Sequence, residues 1–409
     1  MKKLTLTLLS VVVLAGAIRA ENAATNAIPY FLQPYAEQYK QSPRQATLDW
    51  FENARMGMFI HWGVWGKYNS AWSMFNKNIP LEEYKKTAHE VTASGFNAEE
   101  IVKLAEESGM HYITFVAKHH DGFCLWDSQY TDFDSKDYFN RDLLAELVKA
   151  CHEHGMPLCI YYSIGIDWTH PYFLPRELYS VGRPKYDAAG NAYFKYRVPE
   201  DFENYRTFCK QQLAELCTKY GPVAGFWFDP LGGVLANSEM FKLQEMYDVI
   251  RQLQPQALIH FKTGATGTED ILVGERSLAP ISSFYKGDSP QNKRIRELSD
   301  AAWQANFRKK AEIAVTSQGP WEWSPKVTCR PADGLWKMLL IAADNNANLL
   351  LNFGPKPDGS IPDDVATNFR QLGERIRKEG YPPLNKTTYL EKRQKGVVAD
   401  DTEKEKTAR

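Results

Sequence analysis

Cysteine is scarce in this chain: six residues in 409, Cys124, Cys151, Cys159, Cys209, Cys217 and Cys329, with no Cys-x-x-Cys spacing. That argues against a thiolate zinc cluster and leaves small, buried hydrophobes as the reading for most of them. An excess of one charge is also missing. Lys and Arg number 49, Asp and Glu 50, for a formal net charge of −1. Nothing there favours nucleic acid, an acidic membrane surface or the steering of ionic substrates. No His-Glu-x-x-His spacing is present, internal repeats are absent, and the turn Gly63-Val64-Trp65-Gly66 lacks the spacing of a phosphate-binding loop. Long apolar runs are absent beyond residues 4–17. That run follows Met1-Lys2-Lys3, is too short for an anchor, and leads to small residues at Ala15, Ala17 and Ala20. Residues 1–20 therefore read as a secretory signal peptide. No cysteine follows at a lipid-attachment position. The expected product is exported, periplasmic or secreted, with no membrane insertion after cleavage.

What the chain does have is a regular alternation. Apolar, strand-like runs fall at residues 56–61, 112–118, 158–163, 225–229, 257–261 and 348–353. Stretches with helical period separate or follow them, at 97–108, 142–154, 201–220, 239–253, 333–345 and 363–378. Strand-then-helix order predicts a parallel sheet with helices outside. Two further strands near 271–273 and 321–323 would complete a (β/α)8, TIM-like barrel over residues 28–385. An open doubly wound sheet is the competing architecture. Residues 386–409, rich in Lys, Glu and Asp, read as a solvated, charged tail.

Several of these runs end in polar groups. Phe59-Ile60-His61-Trp62-Gly63, Lys118-His119-His120-Asp121-Gly122-Phe123, Tyr161-Tyr162-Ser163 and Phe226-Trp227-Phe228-Asp229 each pass from β-formers to side chains that carry chemistry. A barrel sets catalytic groups at the C-terminal ends of its strands. Rings and imidazoles at such a mouth suit a sugar, and a strand-terminal carboxylate suits glycosidic chemistry. Asp229 is the strongest single candidate, its bland alternative being a capping residue before Pro230. His119 and His120 are adjacent, so on a continued strand they would point to opposite faces, which disfavours a shared metal ion.

Taken in order, these motifs resemble those of the α-L-fucosidases of glycoside hydrolase family 29. The resemblance is carried by the segments around His61, by Lys118 to Phe123, by Tyr161 to Ser163 and by Trp227 to Asp229. Asn348-Leu349-Leu350-Leu351-Asn352-Phe353-Gly354-Pro355 and Asp358-Gly359-Ser360-Ile361-Pro362 complete it. It implies a retaining exo-glycosidase with Asp229 as nucleophile, acting on fucosylated glycans without cofactor or metal. A second carboxyl must then serve as acid and base. Glu275, in Leu272-Val273-Gly274-Glu275-Arg276, is preferred, and Glu322, in Gly319-Pro320-Trp321-Glu322-Trp323, is the alternative. The resemblance further implies sugar contacts from His61, Trp72, His119, His120, Tyr162, Trp168, Trp227 and Arg276. Of Tyr161 and Tyr162, only one can face the site. Two departures stand out. Ala71 precedes Trp72 where many members have a sugar-binding Glu, and no C-terminal β-sandwich is evident. A different L-sugar specificity, or a non-catalytic fucose-binding protein, are the alternative readings.

Overall fold

A computed structural model describes residues 27–185, 192–395 and 397–398; the expected signal peptide lies outside them. The strands, in chain order, are β1 (Met56–Ile60), β2 (Ile113–Lys118), β3 (Leu158–Ser163), β4 (Gly225–Asp229), β5 (Leu258–His260), β6 (Leu272–Glu275), β7 (Ser277–Leu278), β8 (Ala311–Thr316), β9 (Ala347–Phe353) and β10 (Val397–Val398). They form one sheet in the order β10-β7-β6-β8-β9-β1-β2-β3-β4-β5. Eight of them, β1 to β6 with β8 and β9, run parallel. The cylinder closes between β5 and β6 through a parallel bridge from His260 to Ile271. The chain is a (β/α)8 barrel.

Strand parity sorts the apolar side chains into two cores. Phe59, Val116, Cys159, Tyr161, Trp227, Leu258, Val273, Ala314 and Leu350 fill the cylinder. Their neighbours Met58, Phe115, Ile160, Phe226, Ile313 and Leu351 pack outward beneath the helices. Helix starts follow sequence chemistry. Asn97 caps Ala98–Glu107 by accepting from the Glu100 amide at 3.3 Å, and Asp142 caps Leu143–Glu153 by accepting from Ala145 at 2.9 Å. All six cysteines are buried thiols. No helix among the described residues is long and apolar enough to cross a membrane.

Three expectations change. Residues 321–323 are not a strand; the seventh barrel strand is Ala311–Thr316, and 321–323 lie in the loop that follows it. The helix expected at 239–253 is two helices, Ser238–Phe241 and Leu243–Leu253, broken where Lys242 takes a left-handed conformation (φ 44°). The charged segment from 386 is not wholly a solvated tail. Residues Tyr389–Lys395 form a helix, and buried Arg393 donates to the carbonyls of Phe307, Lys309, Asn345 and Asn346 at 2.8–3.2 Å.

Candidate active site

The C-terminal ends of the strands bring two carboxylates and one ammonium together. Asp229 is the last residue of β4 and Glu275 the last of β6. Lys262, two residues beyond the end of β5, lies between them, its Nζ 2.6 Å from Asp229 Oδ1 and 2.6 Å from Glu275 Oε2. The two carboxylate oxygens are therefore no more than about 5.2 Å apart, twice 2.6 Å. Lys262 sits in the left-handed region (φ 42°), where a non-glycine residue is strained. Its carbonyl accepts from the Val273 amide at 2.8 Å, fixing the turn against β6. Burial alone would lower the lysine's pKa, but the facing Asp229 and Glu275 outweigh it and push the pKa above its ordinary value. The other Asp229 oxygen accepts from the Tyr161 hydroxyl at 2.9 Å and lies 3.7 Å from His120 Nε2.

Around this pair stand three histidines whose charge is suppressed by burial. His61 and His120 are each pushed down to about 3, and His119 well below its usual range. All three are neutral over the working range of most enzymes. Their orientations follow from their partners. Asn352 donates to the Trp321 carbonyl at 2.7 Å, so its Oδ1 faces His61 and accepts from Nδ1 at 2.6 Å. Ser163 donates to the Ile166 carbonyl at 2.7 Å, so its Oγ accepts from His120 Nδ1, also at 2.7 Å. In both rings Nε2 is left as the acceptor, ready for a hydroxyl proton. His119 Nδ1, buried, has no hydrogen-bond partner among the described residues.

The adjacent histidines do not diverge. Their rings lie 3.9 Å apart, because the pairing of β2 with β3 shifts register between Val116 and Lys118 and the strand ends there. The tyrosine expectation is also corrected. Tyr161 points into the cylinder beside Trp227, whereas Tyr162 points outward. The Tyr162 hydroxyl donates to Gln212 at 2.8 Å and accepts from Lys118 at 3.1 Å. Trp72 is half-buried, its ring 5.2 Å from His120, and forms the lip of the cage. Trp168 is fully buried behind it, 5.2 Å from Trp72, with its indole N–H on the Val181 carbonyl. Trp227 stacks beneath Tyr161 at 5.4 Å and donates to Glu312 at 3.0 Å. Trp168 and Trp227 thus back the cage rather than face into it. Ala71 is buried against the barrel core and contributes no polar group.

Arg276 donates to the Gly319 carbonyl at 2.6 Å and lies 5.4 Å over the Trp321 ring, which is itself 5.0 Å from His61. It anchors the loop that carries Glu322. That glutamate's loop packs against Gly354, where a Cβ would meet the Trp323 amide at 2.1 Å. The side chain paired through Lys262 with Asp229 is Glu275. Lys262, Trp321, Asn352 and Ser163 were not named as site residues, and Tyr161 was the open alternative to Tyr162. Of these, Lys262 carried the clearest signal, a charge just beyond a strand end with the inward parity of His260. Among the described residues no group of three or more His, Cys, Asp or Glu side chains is arranged to hold a metal ion.

Neutral imidazoles that accept protons, aromatic walls and opposed carboxylates match a pyranose, with hydroxyls on one side and C–H groups on the other. Fold and rim together define a barrel of the glycoside hydrolase class. The chain belongs to the alpha-L-fucosidase family, glycoside hydrolase family 29, whose model matches residues 23–381. It is 27% identical over 354 residues to alpha-L-fucosidase 1 of Arabidopsis thaliana, covering 84% of this chain and 62% of that protein. The structure of alpha-L-fucosidase isoenzyme 1 from Paenibacillus thiaminolyticus superposes with a TM-score of 0.69 at 27% identity, over 85% of this chain and 80% of that one. A Lactobacillus casei alpha-L-fucosidase solved with α-L-fucose superposes with a TM-score of 0.64 at 26% identity, over 81% and 98%. The chain spans less than two thirds of the Arabidopsis relative's length.

Proposed function

We propose that the protein releases terminal α-L-fucose from fucosylated glycans by double displacement. The observation that carries this reading is the single lysine holding Asp229 and Glu275 within about 5.2 Å of each other. Retaining glycosidases need carboxyls about 5–5.5 Å apart, whereas inverting enzymes leave a wider gap for water. In the first step an Asp229 oxygen attacks the anomeric carbon. The C–O bond to the leaving sugar breaks, and Glu275 gives that oxygen its proton. In the second step Glu275 takes a proton from water, and the hydroxide oxygen displaces Asp229. Both groups are carboxyls, so no cofactor enters. Glu275 must part from Lys262 to carry its proton, and an arriving glycosidic oxygen would drive that exchange. Lys262 and the Tyr161 hydroxyl stabilise Asp229 while it is ionised, before its attack and on its release. His61 and His120 accept hydroxyl protons through Nε2. The composition of residues 1–20 supports an exported, periplasmic or secreted, enzyme.

The expected outcomes are specific. Asp229→Asn abolishes turnover and leaves the fold intact by circular dichroism. A 2-fluorinated fucosyl reagent labels the wild type on the peptide containing Asp229. Glu275→Ala slows natural glycosides far more than aryl glycosides, and azide restores the latter. If Glu322→Ala shows that pattern instead, the acid/base assignment passes to Glu322. A second reading, a different L-sugar, is favoured by Ala71 alone. A panel of nitrophenyl glycosides decides between the two.

A further inference from the structure

Among the described residues, the connection from β5 to β6, residues 261–271, is the one crossover between parallel neighbours that carries no helix. Irregular backbone has N–H groups that neither a helix nor a ladder pairs, and the buried ones must find other acceptors. Here a single side chain supplies them. Glu269 is 1% exposed. Its Oε1 accepts from the amides of Ala265 and Thr266 at 2.9 Å each, and its Oε2 from the amide of Gly267 at 2.9 Å. The helices on either side close on the same carboxylate. Tyr247, in Leu243–Leu253, donates its hydroxyl to Oε1 at 2.9 Å. Asn306, the last residue of the helix Pro290–Asn306, donates its side-chain amide to Oε2 at 3.1 Å and to the Thr263 carbonyl at 3.3 Å. Burial alone would raise the Glu269 pKa, but the backbone amides that bind it outweigh burial and hold it below the ordinary carboxylate range. The group is therefore an ionised carboxylate standing where a helix would otherwise organise the chain.

The segment that Glu269 gathers begins one residue after Lys262. The Gly264 amide donates to the Phe261 carbonyl at 2.8 Å, closing a tight turn around Lys262 and Thr263. Gly264 has φ 101°, and a Cβ there would run into the Asn306 side-chain amide, so the turn is seated directly on the cluster. A left-handed lysine persists only where its surroundings over-determine it. On one side the Val273 amide holds the Lys262 carbonyl at 2.8 Å, and on the other Asn306 and Glu269 hold residues 263–267. We propose that Glu269 is a positioning residue, which fixes this crossover and so holds Lys262 in the turn that carries its Nζ between Asp229 and Glu275. It acts through Lys262 and not on the reacting atoms. Its effect on rate rests on the hydrolase reading above; its effect on the place of Lys262 does not.

The test is Glu269→Gln, alone and combined with Lys262→Met. The substitution keeps the shape, yet whichever way the new amide turns, its NH2 faces N–H donors that the carboxylate accepted. On an α-L-fucoside kcat/KM should fall roughly 10- to 100-fold, the scale of a displaced catalytic group, with the loss in kcat. In the Lys262→Met background the same change should alter kcat/KM by less than about twofold, because the lysine it acts through is gone. A crystal structure of Glu269→Gln should show Nζ of Lys262 no longer bridging Asp229 and Glu275. Should Glu269→Gln not fold, Tyr247→Phe replaces it in each measurement, with a loss of up to about fivefold, the most that one ordinary hydrogen bond could transmit. An equal loss in both backgrounds, a loss carried by KM alone, no loss at all, or a Lys262 that keeps its place overturns the positioning role. Wild-type protein inert on α-L-fucosides overturns the hydrolase reading alone, and the place of Lys262 in the variant crystal then decides the positioning role.

Discussion

Lys262 shows how one side chain can set the electrostatics of a whole site. Two carboxylates within about 5 Å repel. The ammonium 2.6 Å from each removes that repulsion, and the left-handed backbone at Lys262 is the conformational cost of putting it there. Lys262→Met should lower kcat/KM roughly 100- to 1,000-fold, the scale seen when one preorganised charge partner is removed. Lys262→Arg should recover much of the rate. An unchanged kcat/KM in Lys262→Met would show that the lysine acts only through packing. Sequence alone pointed to His61, His119, His120 and Asp229 because each closes a run of apolar β-formers. It missed Lys262 because the residue lies past the strand end, where a lone lysine reads equally as a solvated loop side chain. It chose the wrong member of Tyr161-Tyr162 because two adjacent tyrosines give no phase. The phase is set by the pairing of Tyr161 with Trp227 and of Ser163 with Asp229.

At the scale of elements, the least legible strand was β8. Its sequence, Ala311-Glu312-Ile313-Ala314-Val315-Thr316, follows two lysines and carries a glutamate at an inward position, so it does not read as a buried run. The structure explains the charge. Glu312 is fully buried in the cylinder. Its oxygens accept from the Tyr112 hydroxyl at 2.5 Å and the Trp227 indole at 3.0 Å, with His260 Nδ1 3.6 Å away. One acidic side chain on β8 thereby ties the start of β2 to β4 and β5, and its partners Trp227 and His260 stand two residues before Asp229 and Lys262. Helices were easier to read, because a 3.6-residue period and a capping Asn or Asp do not depend on what the opposite side of a barrel supplies. Glu312→Leu leaves the Tyr112 hydroxyl and the Trp227 N–H unpartnered in an apolar interior, at about 1–3 kcal/mol each. Denaturant unfolding should show a loss of about 2–5 kcal/mol, with a smaller loss for Glu312→Gln, which keeps one acceptor. Equal stability for Glu312→Leu and wild type would mean that the cluster does not brace the strands.

Across the whole molecule, the two ends of the barrel carry different tasks. Asp229, Lys262, Glu275 and the histidines lie at the C-terminal ends of the strands, where barrel enzymes carry their chemistry. At the opposite end the helix Tyr389–Lys395 docks beside the starts of β8 and β9. Its Arg393 donates to carbonyls that immediately precede β8 and β9: Phe307, Lys309, Asn345 and Asn346. Composition marked this segment as solvent-bound, since Lys392, Arg393 and Lys395 stand within four residues of one another. Composition cannot show that four backbone carbonyls wait for the one guanidinium group among them. Burial lowers the pKa of Arg393 to about 10, which still leaves it charged near neutrality, so the bonds it donates are charge-assisted. Arg393→Ala removes them and leaves the carbonyls to be hydrated by an undocked helix. The expected cost is about 2–4 kcal/mol of unfolding free energy, read as a lower midpoint in denaturant with little change in slope. Because the lost contacts sit at the end of the barrel away from Asp229, kcat/KM on an α-L-fucoside at 25 °C should stay within about twofold of wild type. A fall in activity that matches the fall in stability would mean that the two ends are mechanically coupled, and that docking of this helix at the base helps to hold the carboxylates at the rim.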